Sequence, residues 1–85
     1  MPSKKDYREV CLHVAALLQK ERERQGLSMT VLSARAGLSQ PSLSYIERGM
    51  RIPNLDTLLR IADALGIELS GVIAKASKPA KRGKA

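Results

Sequence analysis

Residues 27–54 read LSMTVLSARAGLSQPSLSYIERGMRIPN, and this stretch decides the fold. Ser28 suits a helix N-cap, because its short side chain can accept from the free amides of a first turn. Behind it, apolar residues fall at Met29, Leu32 and Ala36, the spacing of one helical face. Gly37 stands where such a helix must end in a left-handed residue. Ser39 repeats the cap, and Pro41 falls in the next first turn, where its missing N–H costs nothing. Leu43, Ile46 and Glu47 then define an inward face, which Gly49 ends. Two short helices joined by about three or four residues around a glycine make a helix-turn-helix.

The outward face of the second helix carries the chemistry. Gln40, Pro41, Ser44, Tyr45 and Arg48 recur at three- and four-residue spacing, so they line one stripe. Gln can pair bidentately with adenine, Ser reads loosely, and Arg grips guanine or phosphate. A helix that only faces solvent more usually carries Glu and Lys. The stripe therefore reads as a recognition surface rather than a plain exposed face.

Composition narrows the choice of function. At 85 residues the chain is one small domain with a modest core. Apolar residues make up 44%, with no Phe and no Trp, which favours tightly packed helices over a sheet. A single Cys excludes an internal disulfide framework and fits a reducing cytoplasm. No apolar run approaches membrane-spanning length, and no signal-peptide core is present, so a cytoplasmic chain without membrane contact is expected. The net charge of +7 is uneven: residues 75–85 carry five bases and no acid, whereas residues 1–74 carry ten bases and eight acids. Charge alone is therefore weak evidence for nucleic acid, because it resides mostly in the tail.

Along the chain, residues 1–5 are polar and predict a flexible arm. Residues 6–25 predict a long helix, with Tyr7, Val10, Cys11, Val14, Leu17 and Leu18 on its apolar stripe and Gly26 stopping it. Cys11 reads as core filler and His13 as a surface residue, not a metal ligand. Pro53 disfavours helix at Ile52, and Asn54 can cap a helix whose expected buried face is Leu55, Leu58, Leu59, Ala62 and Leu65. Residues 67–76 predict a last short helix with Leu69, Val72, Ile73 and Ala76 as its apolar face. The globular unit thus runs over residues 6–76, followed by a basic tail, 77–85, of disordered composition. That tail either adds nonspecific phosphate attraction or merely solubilises the chain.

The pattern LSxxxLSxxAGLSxxxLSxIERGxRxPxLxTLxxIAxALGI resembles the lambda-repressor and Cro-like helix-turn-helix family, also called the XRE family. The resemblance covers about residues 14–73. It implies an all-α, compact five-helix domain that lays residues 39–48 in the DNA major groove. It also implies that Arg22 and Glu47 form an internal ion pair holding the recognition helix against the first helix. Arg51 and Asn54 inherit contacts to the DNA backbone from it, joining Ser28 and Arg48 as groups that position the domain on phosphates. The candidate base readers are Ser39, Gln40, Pro41, Ser44 and Tyr45; Tyr45 either reaches DNA or lies flat against the domain. In the family the last helix often joins a two-fold interface, which points to Leu69, Val72 and Ile73, although these residues equally could close the core. The first helix is longer at its front than the family requires, and its extra turns either pack on the last helix or add to a dimer contact. Met29 stands where many members carry a Gln that steadies the reading Gln, and Ser33 stands where they carry Ala.

The expected function is sequence-specific binding of double-stranded DNA by a homodimer on a palindromic operator. Such a chain is a transcriptional repressor or a controller of the kind found in restriction-modification systems. The competing expectation is a protein-binding module such as an antitoxin. One His, one Cys and no glycine-rich phosphate loop argue against an enzyme, and nothing calls for a cofactor, a metal or a small-molecule ligand.

Overall fold

The computed structural model of the chain describes residues 7–77. Five helices occur in them: α1 (Tyr7–Arg24), α2 (Met29–Ala36), α3 (Gln40–Glu47), α4 (Leu55–Leu65) and α5 (Leu69–Ser77). No strand occurs among the described residues. The expected arm at residues 1–5, Asp6 at the expected start of α1, and the expected tail from residue 78 lie outside the described residues. Ser77, assigned to that tail from its sequence, is the last residue of α5.

Short polar side chains fix where the three middle helices begin. Ser28, Ser39 and Asn54 have extended backbones, and each side chain accepts from the amide three residues on. Each thus satisfies one of the amides that a helix start leaves free. Gly37 closes α2 with φ of 70°, and a Cβ there would stand 3.0 Å from the Arg60 guanidinium. The left-handed backbone is what favours glycine at the turn, since the Arg60 side chain, free at its far end, could move aside.

The core gathers one face of every helix. Val14, Ala15 and Leu18 of α1 meet Leu32 and Ala36 of α2, Leu43 and Ile46 of α3, and Leu58, Ile61, Ala62 and Leu65 of α4. Leu69 and Ala76 of α5 complete it. Burying a Leu or Ile side chain fully is worth about 1.5–3 kcal/mol relative to leaving it in water. α1 packs on α3, α4 and α5, while α2 packs on α3 and α4.

Three expectations about faces and bounds are corrected. Leu55 and Leu59 were assigned to the buried face of α4, but they are 60% and 50% exposed. Ile61 takes the inward place, because α4 turns the face of Leu58, Ile61, Ala62 and Leu65 to its neighbours. Tyr7 is 74% exposed; Val10, one turn later, is the first α1 side chain to pack against the core. α5 begins at Leu69 rather than at 67. Ile67 donates its amide to Ala62 O at 3.0 Å and so belongs to the closing turn of α4.

One side chain binds three parts of the chain together. Arg22 Nε donates to Glu47 Oε2 at 2.7 Å, and its Nη2 donates to Glu47 Oε1 at 3.0 Å. Its Nη1 donates to Leu27 O at 2.7 Å. The end of α1, the turn before α2 and the end of α3 thus share a bidentate fork. The two side chains are only 11% and 4% exposed, and the hydrogen bond to Glu47 raises the Arg22 pKa above its ordinary value. Nearby, Gln25 Nε2 donates to Leu65 O and to Glu21 Oε2, both at 2.8 Å, tying α1 to the last turn of α4. Hydrogen bonds from Arg24 and then Gln25 lower the Glu21 carboxyl to about 2.

Removing one partner of a buried pair strands the other. Glu47→Ala should therefore destabilise the domain by about 3 kcal/mol, or roughly 10–20 °C in Tm for a domain this small. Thermal melts check this; an unchanged Tm contradicts it.

Candidate nucleic-acid interface

α3 is amphipathic in a way that frees its outer face. Leu43 and Ile46 enter the core and Glu47 turns to Arg22, so Pro41, Tyr45 and Arg48 are left exposed on the far side. Gln40 is exposed at one flank of this stripe, and Ser44 is half-buried within it. Ser42 lies on the other flank, half-buried.

Tyr45, 38% exposed, lies beneath two cations. The guanidinium carbons of Arg48 and Arg51 stand 5.6 and 5.3 Å from its ring centroid. Arg51 also donates from Nη1 to Ser42 Oγ at 3.3 Å, so the loop after α3 folds back on that helix. Each cation–π contact at such exposure is worth about 0.5–1 kcal/mol. Neither arginine has a carboxylate partner among the described residues. Between residues 27 and 55 the sequence holds one acid, Glu47, and Arg22 neutralises it. The outer face of α3 is consequently positive and able to receive an anion.

The capping residues have less freedom than their sequence positions suggest. Ser28 Oγ accepts from Val31 N at 3.1 Å, and Asn54 Oδ1 accepts from Thr57 N at 2.8 Å. These side chains hold their helices, so what each helix start offers an incoming phosphate is its first two amides. Asp56 puts a carboxylate in the first turn of α4, paired with Arg60 at 2.8 Å, which works against an anion at that end. Ser39 Oγ accepts from Ser42 N at 3.1 Å and donates to Ser42 Oγ at 2.9 Å, so its hydroxyl is engaged within the helix.

Two residues that sequence reasoning missed belong to this surface. Thr30 Oγ1 donates to Gln40 Oε1 at 3.1 Å, joining α2 to the start of α3. Ser42 receives both Ser39 and Arg51. The hydroxyls themselves were the available signal, one next to Met29 and one three residues past a cap. Met29 turns partly into the core, and Ser33 is buried with its hydroxyl donated to Thr30 O at 3.1 Å.

The expected dimer residues separate. Leu69 is buried in the domain's own core, the alternative its sequence left open, while Val72 is half-buried and Ile73 is exposed. Cys11 is half-buried and His13 exposed, and no three His, Cys, Asp or Glu side chains converge among the described residues. No helix among these residues is long and apolar enough to cross a membrane.

Comparison with known proteins places this geometry. A family model described as helix-turn-helix matches residues 18–72. The chain is 44% identical over 57 residues to the HTH-type transcriptional regulator y4dL of Sinorhizobium fredii, covering 67% of this chain and 29% of that one. It is 36% identical over 70 residues to an HTH-type transcriptional regulator of Haemophilus influenzae, covering 80% of this chain and 71% of that one. The match therefore spans less than a third of the Sinorhizobium regulator's length. Among solved structures, the restriction-modification controller protein C.AhdI of Aeromonas hydrophila superposes with a TM-score of 0.69 and 30% identity, covering 78% of this chain and 98% of that one. The clp gene regulator ClgR of C. glutamicum superposes with a TM-score of 0.72 and 26% identity, covering 87% and 92%.

If Arg51 meets phosphate, Arg51→Ala should weaken binding to every duplex by a similar factor. It should also reduce the slope of log affinity against log salt by about one. A loss confined to the preferred sequence would instead make Arg51 a base reader.

Proposed function

The chain belongs to the helix-turn-helix family of XRE type, and from that premise we propose that it is a transcriptional regulator that binds duplex DNA sequence-specifically as a homodimer. The observation that carries this reading is the outer face of α3: exposed, positive, and rich in groups that hydrogen-bond or stack. Gln40 is its principal reader, because a Gln amide can engage the N6 and N7 edge of adenine. Pro41, Ser44 and Tyr45 complete the reading stripe. Arg48, Arg51 and the free amides at the start of α2 set the domain on the backbone. Phosphate contacts position such a domain, and base contacts select the sequence.

One domain of this size covers only a half-site. Two copies related by a two-fold axis bind a palindrome with half-sites about 34–36 Å apart, one turn of DNA. Ile73 and the edge of Val72 supply exposed apolar surface for that contact on α5, and Leu55 and Leu59 supply it on α4. The protein acts in the cytoplasm, where its DNA is, as a repressor or as a controller in the manner that the similarity to C.AhdI suggests.

Selection of bound sites from random duplex DNA tests the reading, with sedimentation of the free protein alongside. The expected result is an inverted repeat bound by a dimer, whose preference at one base pair per half-site disappears in Gln40→Ala, a loss of about 1–3 kcal/mol of discrimination. A monomer that binds one half-site as tightly as two contradicts the dimeric reading. A protein that enriches no DNA and copurifies with a stoichiometric protein favours the protein-binding module.

A further inference from the structure

We propose that Tyr45 is a positioning residue for the DNA backbone: its ring, independently of its hydroxyl, holds the Arg48 and Arg51 guanidinium groups where phosphates meet them, a role that rests on the reading of those two arginines as phosphate contacts.

The end of α3 builds this arrangement. Arg48 stands three residues after Tyr45, on the same face of the helix. Gly49 then turns left-handed, with φ of 73°. Its amide donates to Ile46 O at 3.1 Å, and the Met50 amide donates to Tyr45 O at 2.9 Å. These two bonds close the helix and turn the chain back. Arg51 therefore returns over the turn of α3 that the chain has just left. There its Nη1 donates to Ser42 Oγ at 3.3 Å, and its guanidinium carbon stands 5.3 Å from the Tyr45 ring centroid, against 5.6 Å for Arg48. Two cations, one on each side of the glycine stop, thus converge on one ring.

Like charges repel, and no carboxylate among the described residues pairs with either arginine. The electron-rich ring supplies the attraction that holds both nearby. Tyr45 can act as a fixed point because α3 is itself held, by Leu43 and Ile46 in the core and by the grip of Arg22 on Glu47. Binding a phosphate backbone otherwise costs the ordering of two long, flexible side chains. A guanidinium laid on a ring has already given up part of that freedom. Its N–H donors lie in its own plane, where phosphate oxygens still reach them. A leucine at this position would keep the apolar bulk and offer the two cations nothing.

Two measurements on the full chain test the proposal. In the free protein, the ring current should move side-chain proton resonances of Arg48 and Arg51 upfield, in the wild type and in Tyr45→Phe but not in Tyr45→Leu. In salt titrations, Tyr45→Leu should bind the selected operator and an unrelated duplex each about fivefold more weakly at low salt, with a shallower slope of log affinity against log salt. Tyr45→Phe should keep the wild-type affinity for the unrelated duplex and the wild-type slope. Tyr45→Leu should change nothing further in an Arg48→Ala/Arg51→Ala background. Unshifted arginine resonances in the wild type, or a Tyr45→Leu protein that binds unrelated DNA as tightly as the wild type or more tightly, overturn the positioning role and leave the DNA-binding reading standing. So does a Tyr45→Phe protein as weak as Tyr45→Leu, or an equal loss in the double-arginine background. A wild-type chain that binds no duplex overturns the DNA-binding reading and the positioning role together.

Discussion

The fork between Arg22 and Glu47 is the constraint on which the rest depends. An eight-residue helix such as α3 has little stability of its own, because helix nucleation is unfavourable and short helices hold only through packing. Leu43 and Ile46 supply that packing, but apolar contacts tolerate sliding and rotation. The bidentate pair does not, since two parallel N–H···O bonds define both distance and orientation. Its third bond, to Leu27 O, fixes the chain just before α2 as well. Both helices of the motif are therefore referenced to α1 through one guanidinium.

The same pair sets the electrostatics of the outer face. Glu47 is the one acid between residues 27 and 55, and turned outward it would oppose a phosphate backbone. Held inward by Arg22, it leaves Arg48 and Arg51 uncompensated around Tyr45. Both guanidinium groups stand within cation–π reach of the Tyr45 ring, whose negative face offsets part of their mutual repulsion. The placement of α3 and the charge of its outer face are thus linked through one residue.

Much of this was legible in the sequence because it is written in local chemistry. The caps Ser28, Ser39 and Asn54 place the starts of α2, α3 and α4 to the residue, and the stop Gly37 places the end of α2, as they act through their own neighbours. The Arg22–Glu47 contact was expected only through the family resemblance, since residues 25 apart in sequence leave no periodic trace. What failed depended on where other helices lie. Leu55 and Leu59 fit an apolar α4 stripe as well as Ile61 does, and only the placement of its neighbours decides which leucines are covered. Leu69, Val72 and Ile73 share a helical face, yet the core takes the first and leaves the last exposed. Thr30 escaped notice because its partner is ten residues away across a turn, and because Met29 occupied the position where an anchor for Gln40 was sought.

The central claim is that the outer face of α3, held in place from behind, is the surface that meets DNA. Amide chemical-shift mapping during titration with the selected operator duplex tests it most directly. The account predicts saturating shifts concentrated in the first turn of α2, along residues 39–48 and in the loop to Asn54, with little change along α5. Shifts centred on α5 and the end of α1, with residues 39–48 unmoved, would contradict it.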